Sequence, residues 1–532
     1  MSRRSLFLAA LPAFALACGS PPAPVSEAKP VASAIPLASA STPPDPMAVP
    51  PPVAEGGAFV PPVPVETQDP SGLKTWSLFR TTLPKVTISL VFRGGAAEDP
   101  AGKSGTAHRT MEMLLEGTKK RDGVAFARAL EALGASISAD TYADYTEISV
   151  DVLATRADAA VALLAEALNE PRFSQADFDR TQKSWIDALV AREKDPNAFA
   201  DVAALPLVFP EGSPYRSPKT GTRESAKNVA LADVKAFASR TLRAEEATLV
   251  VVGAADAGAV HRWGSSLFPK APTAVEFGMI GLLSTGAGGD PNAPTAPWGR
   301  EDSLGNDPSS AQVALLTGSK APPGPATKAA VILYDRHDAP QTVLRLLLPG
   351  IVPSTPEGAR ATRVNVVLGA SFTSRLNQDL REKRALTYGA GSRYSFVAGQ
   401  GLFEARTSVV TDRTGEAARA LWDDVAAFAN EGLTNDEVAK SKTLARSDLV
   451  EAYATQASIA SRLARLAGTG LAADFDKKSA VLREGATKGD LNAIAKSLDP
   501  KGATLLVVGP AETVRPQLEK AGFTGIEVRA IK

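Results

Sequence analysis

The feature that most constrains the fold is a repeat of two strand-like segments at one constant spacing. The segment TISLVFRG at 87–94 is echoed by VLRLLLPG at 343–350, and ATLVVVG at 247–253 is echoed by ATLLVVG at 503–509. In both pairs the second segment ends 256 residues after the first. A constant offset at opposite ends of a unit is typical of a duplicated domain. The sequence therefore predicts two homologous domains.

Hydrophobic periodicity predicts the elements of the first copy. Apolar runs and alternation indicate strands at 86–92, 147–153 and 247–253, and a 3.6-residue period indicates helices at 104–116, 124–133, 157–168, 175–193 and 232–239. This succession predicts the α+β class, with each domain a mostly antiparallel sheet that carries its helices packed on one face.

The N-terminus has the pattern of a targeting segment. Arg3 and Arg4 precede a short apolar run that is too short to span a bilayer, and Ala15-Leu16-Ala17-Cys18 is similar to a bacterial lipobox. We expect residues 1–17 to be a lipoprotein signal peptide and Cys18 to be the lipidated residue. A plain secretory signal with an incidental cysteine is the alternative, but Cys18 is the only cysteine in the chain. A twin-arginine signal is matched only weakly.

Composition divides the rest of the chain. Residues 18–69 are rich in Pro and Ala and are expected to form an extended tether, and residues 271–325 are a Gly- and Pro-rich linker. The two domains then occupy 70–270 and 326–532. With the lipid anchor, this organisation predicts a protein of the bacterial cell envelope, held at the outer membrane and facing the periplasm. The 58 acidic and 58 basic residues balance, so nothing in the charge favours a nucleic-acid partner.

A degenerate metal motif lies in the first predicted domain. His108 and Glu112 are four residues apart, so a helix would place both side chains on one face, as in a two-ligand metal clasp. Gly117 stands where the end of this helix is expected.

The residues that flank this helix carry a resemblance to a known family. Gly94-Gly95, Asp99-Pro100, Gly102-Lys103-Ser104-Gly105 and Gly117-Thr118 resemble the zinc-site region of the pitrilysin and insulinase (M16) metallopeptidases, whose motif is H-x-x-E-H. The resemblance implies the metalloenzyme LuxS/M16 peptidase-like fold. It aligns His108 with the first zinc ligand, Met111 with the general base and Glu112 with the second histidine. A thioether is not a useful base at neutral pH, so no intact catalytic set is expected.

The third zinc ligand of the family is a glutamate before a proline on a long helix. With Pro196 as the anchor, the equivalent position is Ala188, and Asp187 is its only acidic neighbour. Two interpretations remain open. In the first, Met111 is a core side chain, His108 is a surface or interface residue without a metal role, and this chain binds no metal. In the second, His108, Glu112 and Asp187 form a weak metal site that has no general base and lacks the usual three-ligand set of a catalytic zinc.

The second copy has no trace of H-x-x-E-H but keeps another family segment. Ser374 to Gly389, SRLNQDLREKRALTYG, is similar to a helix-to-strand segment in which an Arg and a Tyr seven positions apart bind the substrate peptide. The resemblance implies that Arg381 and Tyr388 have this role, and both side chains can donate to a peptide carbonyl. The alternative is structural: Arg381 caps or pairs at its helix end, and Tyr388 packs in a sheet.

The resemblance implies a non-catalytic member of the family that pairs with a catalytic M16 subunit carrying H-x-x-E-H. This chain would bind peptides or unfolded protein, and the zinc ion would be bound by the partner subunit. The first alternative is an active zinc metalloendopeptidase with unusual ligands. The second is a peptide-binding or scaffold protein that has no catalytic partner.

Overall fold

The described residues form two similar halves built around two six-stranded sheets. The computed structural model describes residues 57–269, 330–352, 354–397 and 400–531. Within these ranges the strands are β1 Val65–Gln68, β2 Lys74–Phe79, β3 Lys85–Arg93, β4 Ser136–Thr141, β5 Tyr145–Leu153, β6 Ala247–Gly253, β7 Ala330–Asp335, β8 Gln341–Gly350, β9 Ala390–Val397, β10 Gln400–Val410, β11 Thr504–Gly509 and β12 Ile526–Ala530.

Helices connect these strands in both halves. In the described ranges the α-helices are α1 Thr106–Leu114, α2 Gly123–Ala132, α3 Ala157–Asn169, α4 Gln175–Lys194, α5 Pro196–Val208, α6 Arg223–Asn228, α7 Leu231–Thr241, α8 Ala257–Leu267, α9 Pro356–Asn365, α10 Thr414–Glu431, α11 Asn435–Ala452, α12 Gln456–Gly468, α13 Phe475–Glu484, α14 Lys488–Lys496 and α15 Ala511–Lys520. π-helical turns span 366–370 and 377–383. None of the helices in these ranges combines the length and the apolar character needed to cross a membrane.

The sheets confirm the duplication down to the pairing of individual residues. The strand orders are β1-β2-β6-β3-β5-β4 and β12-β7-β11-β8-β10-β9. Thr87 of β3 pairs with Val252 of β6, and the residues 256 positions later, Val343 and Val508, pair in the same way. Register is fixed because a slip by one residue would turn every apolar side chain to the opposite face. Both sheets are mixed but mostly antiparallel, which confirms the predicted α+β fold.

Each sheet buries two faces, one more than the sequence indicated. Its own helices cover one face, and a helix from the other half covers the second. Helix α5 packs its alanines on β8 and β11, and α12 packs on β3 and β6. Asp195 starts α5 by accepting a hydrogen bond from the N–H of Ala198 (2.6 Å), directly after α4 ends. Reciprocal packing of this kind joins the two halves.

Buried charges accompany the contact between α5 and the second sheet. Nε of Arg345, on β8, lies 2.9 Å from Oε1 of Glu404, and both side chains are buried. Arg345 also donates to the Oδ1 of Asn197 (3.2 Å) on α5. In the first copy the residue equivalent to Arg345, 256 positions earlier, is Ser89. Glu147 on β5 therefore faces the Ser89 hydroxyl, whereas Glu404 in the second copy faces the Arg345 guanidinium.

The predicted tether ends earlier than expected. Residues 58–69 belong to the folded body, and Val65–Gln68 pairs antiparallel with β2 as the strand β1. All four side chains of β1 are exposed, so backbone hydrogen bonds and not burial hold it. Composition gives no signal for such a strand. The predicted signal peptide, Cys18, the remainder of the tether and the linker at 271–325 lie outside the described residues.

Candidate functional site

A carboxylate from the preceding loop holds the start of the motif helix α1. Asp99 accepts hydrogen bonds from the backbone N–H groups of Gly105 (2.6 Å) and Ala107 (2.8 Å). Gly105 has a φ of 94°, and a Cβ at this position would lie 2.5 Å from the ring of Trp185 on α4. Because of this turn, α1 begins two residues later than predicted and lies directly against α4.

His108 and Glu112 do face each other across one turn of α1. Nε2 of His108 lies 3.5 Å from Oε1 of Glu112, and the imidazole makes an edge contact with Trp185, with ring centroids 6.3 Å apart. Burial lowers the pKa of His108; Glu112 opposes this effect, and the cation of Lys219 adds to it. The neutral imidazole is therefore favoured, which is the form that binds metals.

Arg109, which the motif did not indicate as a site residue, also contacts the Glu112 carboxylate. Its Nη1 lies 2.9 Å from Oε2 of Glu112, and its Nη2 donates to the carbonyl oxygen of Phe178 (3.0 Å) and to the hydroxyl of Thr181. The guanidinium is fully buried, with its carbon 5.1 Å from the centre of the Phe178 ring. Glu112 therefore compensates a buried cation, a role that competes with metal binding.

Met111, one turn from His108 on α1, is a buried core side chain. Its exposed fraction is 0%, and it belongs to the apolar core that lies between the first sheet and its helices. This is the environment that a core side chain requires. A buried thioether cannot accept a proton from a water molecule at His108.

The third ligand position supplies no donor. Asp187 and Ala188 are exposed on α4, whereas Trp185 and Leu189 form its buried face. Among the described residues, no group of three His, Cys, Asp or Glu side chains is placed to hold a metal ion. The structure brings His108 and Glu112 together but leaves Asp187 apart from them. These donors do not fit the three-ligand site of a catalytic zinc.

Arg381 and Tyr388 are both accessible in the second half. Tyr388 is 91% exposed, so the alternative that it packs in a sheet is wrong. The Arg381 guanidinium carbon lies 4.6 Å from the ring centre of Phe372, itself 67% exposed, and its Nε lies 3.3 Å from the neighbouring Glu382. The pairing with Glu382 is at the surface, and the Arg381 side chain is 37% exposed. Phe372 adds an aromatic surface that the sequence did not indicate.

A cavity of about 350 Å³ in the first half was also missed. It is lined mainly by apolar side chains of α5 and its neighbours; the polar members are Arg192, Asp201, Tyr215, Ser217 and Lys219. Tyr215 donates to Asp144 (2.7 Å), and Arg192 donates to the carbonyl oxygen of Gly221 (2.7 Å). The cavity combines apolar walls with two cations and the carboxylate of Asp201, and both cations also act on the pKa of His108.

Family models match both halves of the chain. The insulinase (peptidase family M16) model matches residues 78–204, and the model described as the peptidase M16 inactive domain matches residues 228–444. A protein of Helicobacter pylori described as the non-peptidase homolog YmxG is 29% identical over 171 residues, which are 32% of this chain and 39% of that protein. An uncharacterized zinc protease of Mycobacterium tuberculosis is 22% identical over 84% of this chain and 93% of its own length.

Solved structures show the same fold. A crystal structure described as the peptidase M16 inactive domain from Pseudomonas fluorescens has a TM-score of 0.69 at 22% identity, covering 84% of this chain and 98% of that one. A protease from Helicobacter pylori has a TM-score of 0.69 at 16% identity, covering 85% of this chain and 100% of that one. The two family models, the duplicated sheets and the position of His108 lead to one conclusion: the chain belongs to the insulinase, or M16, peptidase family.

Proposed function

We propose that this chain is a non-catalytic, lipid-anchored M16 protein that pairs with a zinc-bearing M16 subunit and helps it to bind and cleave peptides. The observation that carries the proposal is the burial of Met111 at the position of the general base. The ion pair of Glu112 with Arg109 supports it, since it occupies the only carboxylate next to His108 on α1.

Peptide binding is supported by exposed donors in the second half. Tyr388 and Arg381 present a phenol and a guanidinium to solvent, and both can donate to a carbonyl oxygen of an extended peptide. Donors placed where negative charge develops in a transition state typically contribute a factor of about 100 to 1,000 to turnover. In the proposed pair these groups act on the peptide held at the partner's zinc.

The first half offers backbone groups and an apolar cavity. β4 is the outermost described strand of its sheet, and Ser136, Ser138 and Asp140 on it are exposed. An extended peptide can add to such an edge through main-chain hydrogen bonds, with side chains entering neighbouring pockets. The cavity beside Tyr215 and Lys219 has the size and apolar lining for a peptide side chain.

The anchor and the location are proposed from the N-terminal sequence. Lipidation of Cys18 followed by a tether would hold the folded body near a membrane surface of the bacterial cell envelope, at the outer membrane and facing the periplasm. A Cys18→Ser variant should then leave the membrane fraction. Membrane association that persists in this variant would overturn the lipid anchor and leave the peptidase pairing untouched.

The decisive experiment measures zinc content and peptide hydrolysis together. The purified protein is assayed alone and mixed with the M16 chain of the same genome that carries intact H-x-x-E-H. We expect far less than one zinc per chain, no hydrolysis alone, and more hydrolysis in the mixture than from the partner alone. Stoichiometric zinc with activity alone would establish the enzyme with unusual ligands. Peptide binding without any effect on a partner would establish the scaffold function.

A further inference from the structure

A second cavity, of about 240 Å³, lies in the other half and is lined by arginines. It is enclosed by α9, β9, α12 and α13. Its lining includes Arg393, Arg462, Arg465 and Arg483, together with Tyr394, and within the described chain it includes no acidic side chain. A cavity with this lining is strongly electropositive, which favours an anion.

Two of the four arginines already have carboxylate partners outside the lining. Arg462 lies with its Nε 2.5 Å from the Oδ2 of Asp476, a buried residue that also accepts from the hydroxyl of Tyr453 (2.9 Å). Arg393 lies with its Nη2 2.7 Å from the Oε2 of Glu404. These two pairs are electrically compensated, so they do not by themselves call for a ligand.

Arg465 and Arg483, the other two arginines of the lining, have no carboxylate partner of this kind within the described ranges. In the part of the chain that the structure describes, no carboxylate lies within 4 Å of the guanidinium nitrogens of Arg465 or Arg483. Nε of Arg483 and the hydroxyl oxygen of Tyr394 are buried without a hydrogen-bond partner. Partial burial lowers the pKa of both arginines, and the nearby Asp476 carboxylate opposes this effect for each. Arg465 is exposed and Arg483 half-buried, so the costly groups are the buried Nε of Arg483 and the hydroxyl of Tyr394, which a ligand would satisfy.

We propose that this cavity binds a small phosphate-type oxyanion, held by Arg465 and Arg483 with the hydroxyl of Tyr394 as a further donor. The planar guanidinium fork matches the oxygens of a phosphate and can bind two of them at once. The volume is about eight times the roughly 30 Å³ that a water molecule occupies, so it has room for a phosphate and a short organic group. The site is separate from His108 and from the Arg381–Tyr388 segment, and it does not depend on the proposed peptidase pairing.

The first test is the thermal unfolding of the purified protein in inorganic phosphate against chloride at equal ionic strength. An anion that binds only the folded state raises the unfolding midpoint with its concentration. We expect a rise that is specific to phosphate, with binding confirmed by calorimetry. A parallel series with glycerol 3-phosphate distinguishes the two sources, since tighter binding of the ester indicates a phosphorylated metabolite and equal binding indicates the free ion.

Variants of the cavity arginines test whether phosphate binds in this cavity. Arg465→Met and Arg483→Met should each weaken phosphate binding about tenfold or more, while they keep the phosphate-free stability because neither side chain has an ion-pair partner to lose. Arg465→Lys, which keeps the charge but loses the fork, should show an intermediate loss. The matched control is Arg128→Met, an exposed arginine on α2, with unchanged phosphate binding. The proposal is overturned if phosphate and chloride give equal midpoints, or if both cavity variants bind phosphate like the control.

Discussion

Arg109 and Glu112 form an ion pair one turn apart on α1, with Nη1 and Oε2 separated by 2.9 Å. The guanidinium is buried, and the carboxylate is 42% exposed. The resemblance to the family places Glu112 at the second zinc histidine, and here this carboxylate contacts Arg109 instead. Because it compensates the buried guanidinium, it is less available to a metal ion.

Glu112→Gln should destabilise the protein measurably. The amide still accepts a hydrogen bond but no longer neutralises Arg109, whose remaining partners are the Phe178 carbonyl and the Thr181 hydroxyl. Removing one member of a fully buried pair costs about 3–5 kcal/mol, and the exposure of Glu112 reduces the expected loss to about 1–3 kcal/mol. Chemical denaturation of both proteins measures the difference.

Glu116→Gln is the matched control, because Glu116 follows the end of α1 by two residues and pairs with Arg180, which is 60% exposed. A surface pair of this kind contributes less than about 1 kcal/mol. If the two variants lose the same free energy of unfolding, Glu112 has no special structural role, and its availability as a ligand must be reconsidered.

Tyr388→Phe and Arg381→Ala should lower turnover of the reconstituted pair without weakening assembly. Each variant removes a donor that lies at the surface, so the free energy of unfolding should change by less than about 1 kcal/mol. Turnover should fall about tenfold or more if the donor contacts the transition state. Peptide hydrolysis is measured beside the affinity of the two subunits for each other.

Arg384→Ala serves as the control for this segment. Arg384 is three residues from Arg381, is similarly exposed, and pairs with Asp379. Turnover should stay at the level of the unmodified pair in this variant. Equal losses in Arg381→Ala and Arg384→Ala would show a general effect of surface charge, and unchanged turnover in all three variants would remove the segment from the proposed function.

The sequence predicted those elements whose signal is local and missed the ones that depend on packing between distant segments. The strands at 247–253 and 343–350 are apolar runs, so their positions and their common offset were readable. The docking of α5 on the opposite sheet was not, because an alanine-rich helix face does not specify which surface covers it. β1 was missed since its side chains are all exposed.

In the candidate site, too, the contacts decided by local spacing were predicted and those decided by packing were not. His108 and Glu112 were placed together because helical spacing alone decides that contact. Arg109 was overlooked because its burial requires Phe178 and Thr181 from α4, some seventy residues later. Asp187 was a candidate ligand by its distance from Pro196, but the face of α4 that turns inward is decided by its packing on α1.

Glu147 should make stability fall as the pH rises through the acid range. Burial raises its pKa from 4.5 to about 7, Asp140 on the neighbouring strand adds to the rise, and the hydroxyl of Ser89 opposes it. An acid whose pKa is higher in the folded than in the unfolded state binds more protons when folded. The free energy of unfolding therefore decreases from about pH 4.5 to about pH 7, by an amount on the order of 1–3 kcal/mol.

Glu147→Gln should make this decrease smaller, since Asp99 and Asp424, whose pKa values are raised to about 6 and about 7, still contribute to it. The variant should also be more stable than the unmodified protein above pH 7. Ser89→Ala should move the decrease to higher pH, because the hydroxyl that favours the carboxylate is gone. Denaturation at a series of pH values measures both. Parallel pH profiles for the unmodified protein and Glu147→Gln would contradict the raised pKa.

Gly468→Ala should loosen the contact between the halves. Gly468 ends α12 in the second half, and a Cβ there would lie inside the van der Waals radius of the ring carbons of Tyr145 on β5. Tyr145 is buried and stacks on Tyr142, with ring centroids 4.2 Å apart, so it cannot move aside freely. Overpacking of this kind costs about 1–3 kcal/mol. Calorimetry should show a lower unfolding midpoint, with the first half separating from the second at lower temperature.

Gly489→Ala is the control for this change. Gly489 lies in the first turn of α14, and a Cβ there would meet only the Thr487 hydroxyl at 3.6 Å, an ordinary contact. Alanine should be neutral or stabilise the protein by about 0.5–1 kcal/mol, because it restricts the unfolded chain and favours a helix. A loss confined to Gly468→Ala would locate the effect at the α12 contact. Since α12 covers one face of the first sheet, that loss would show that the first half depends on the second for one buried face of its sheet.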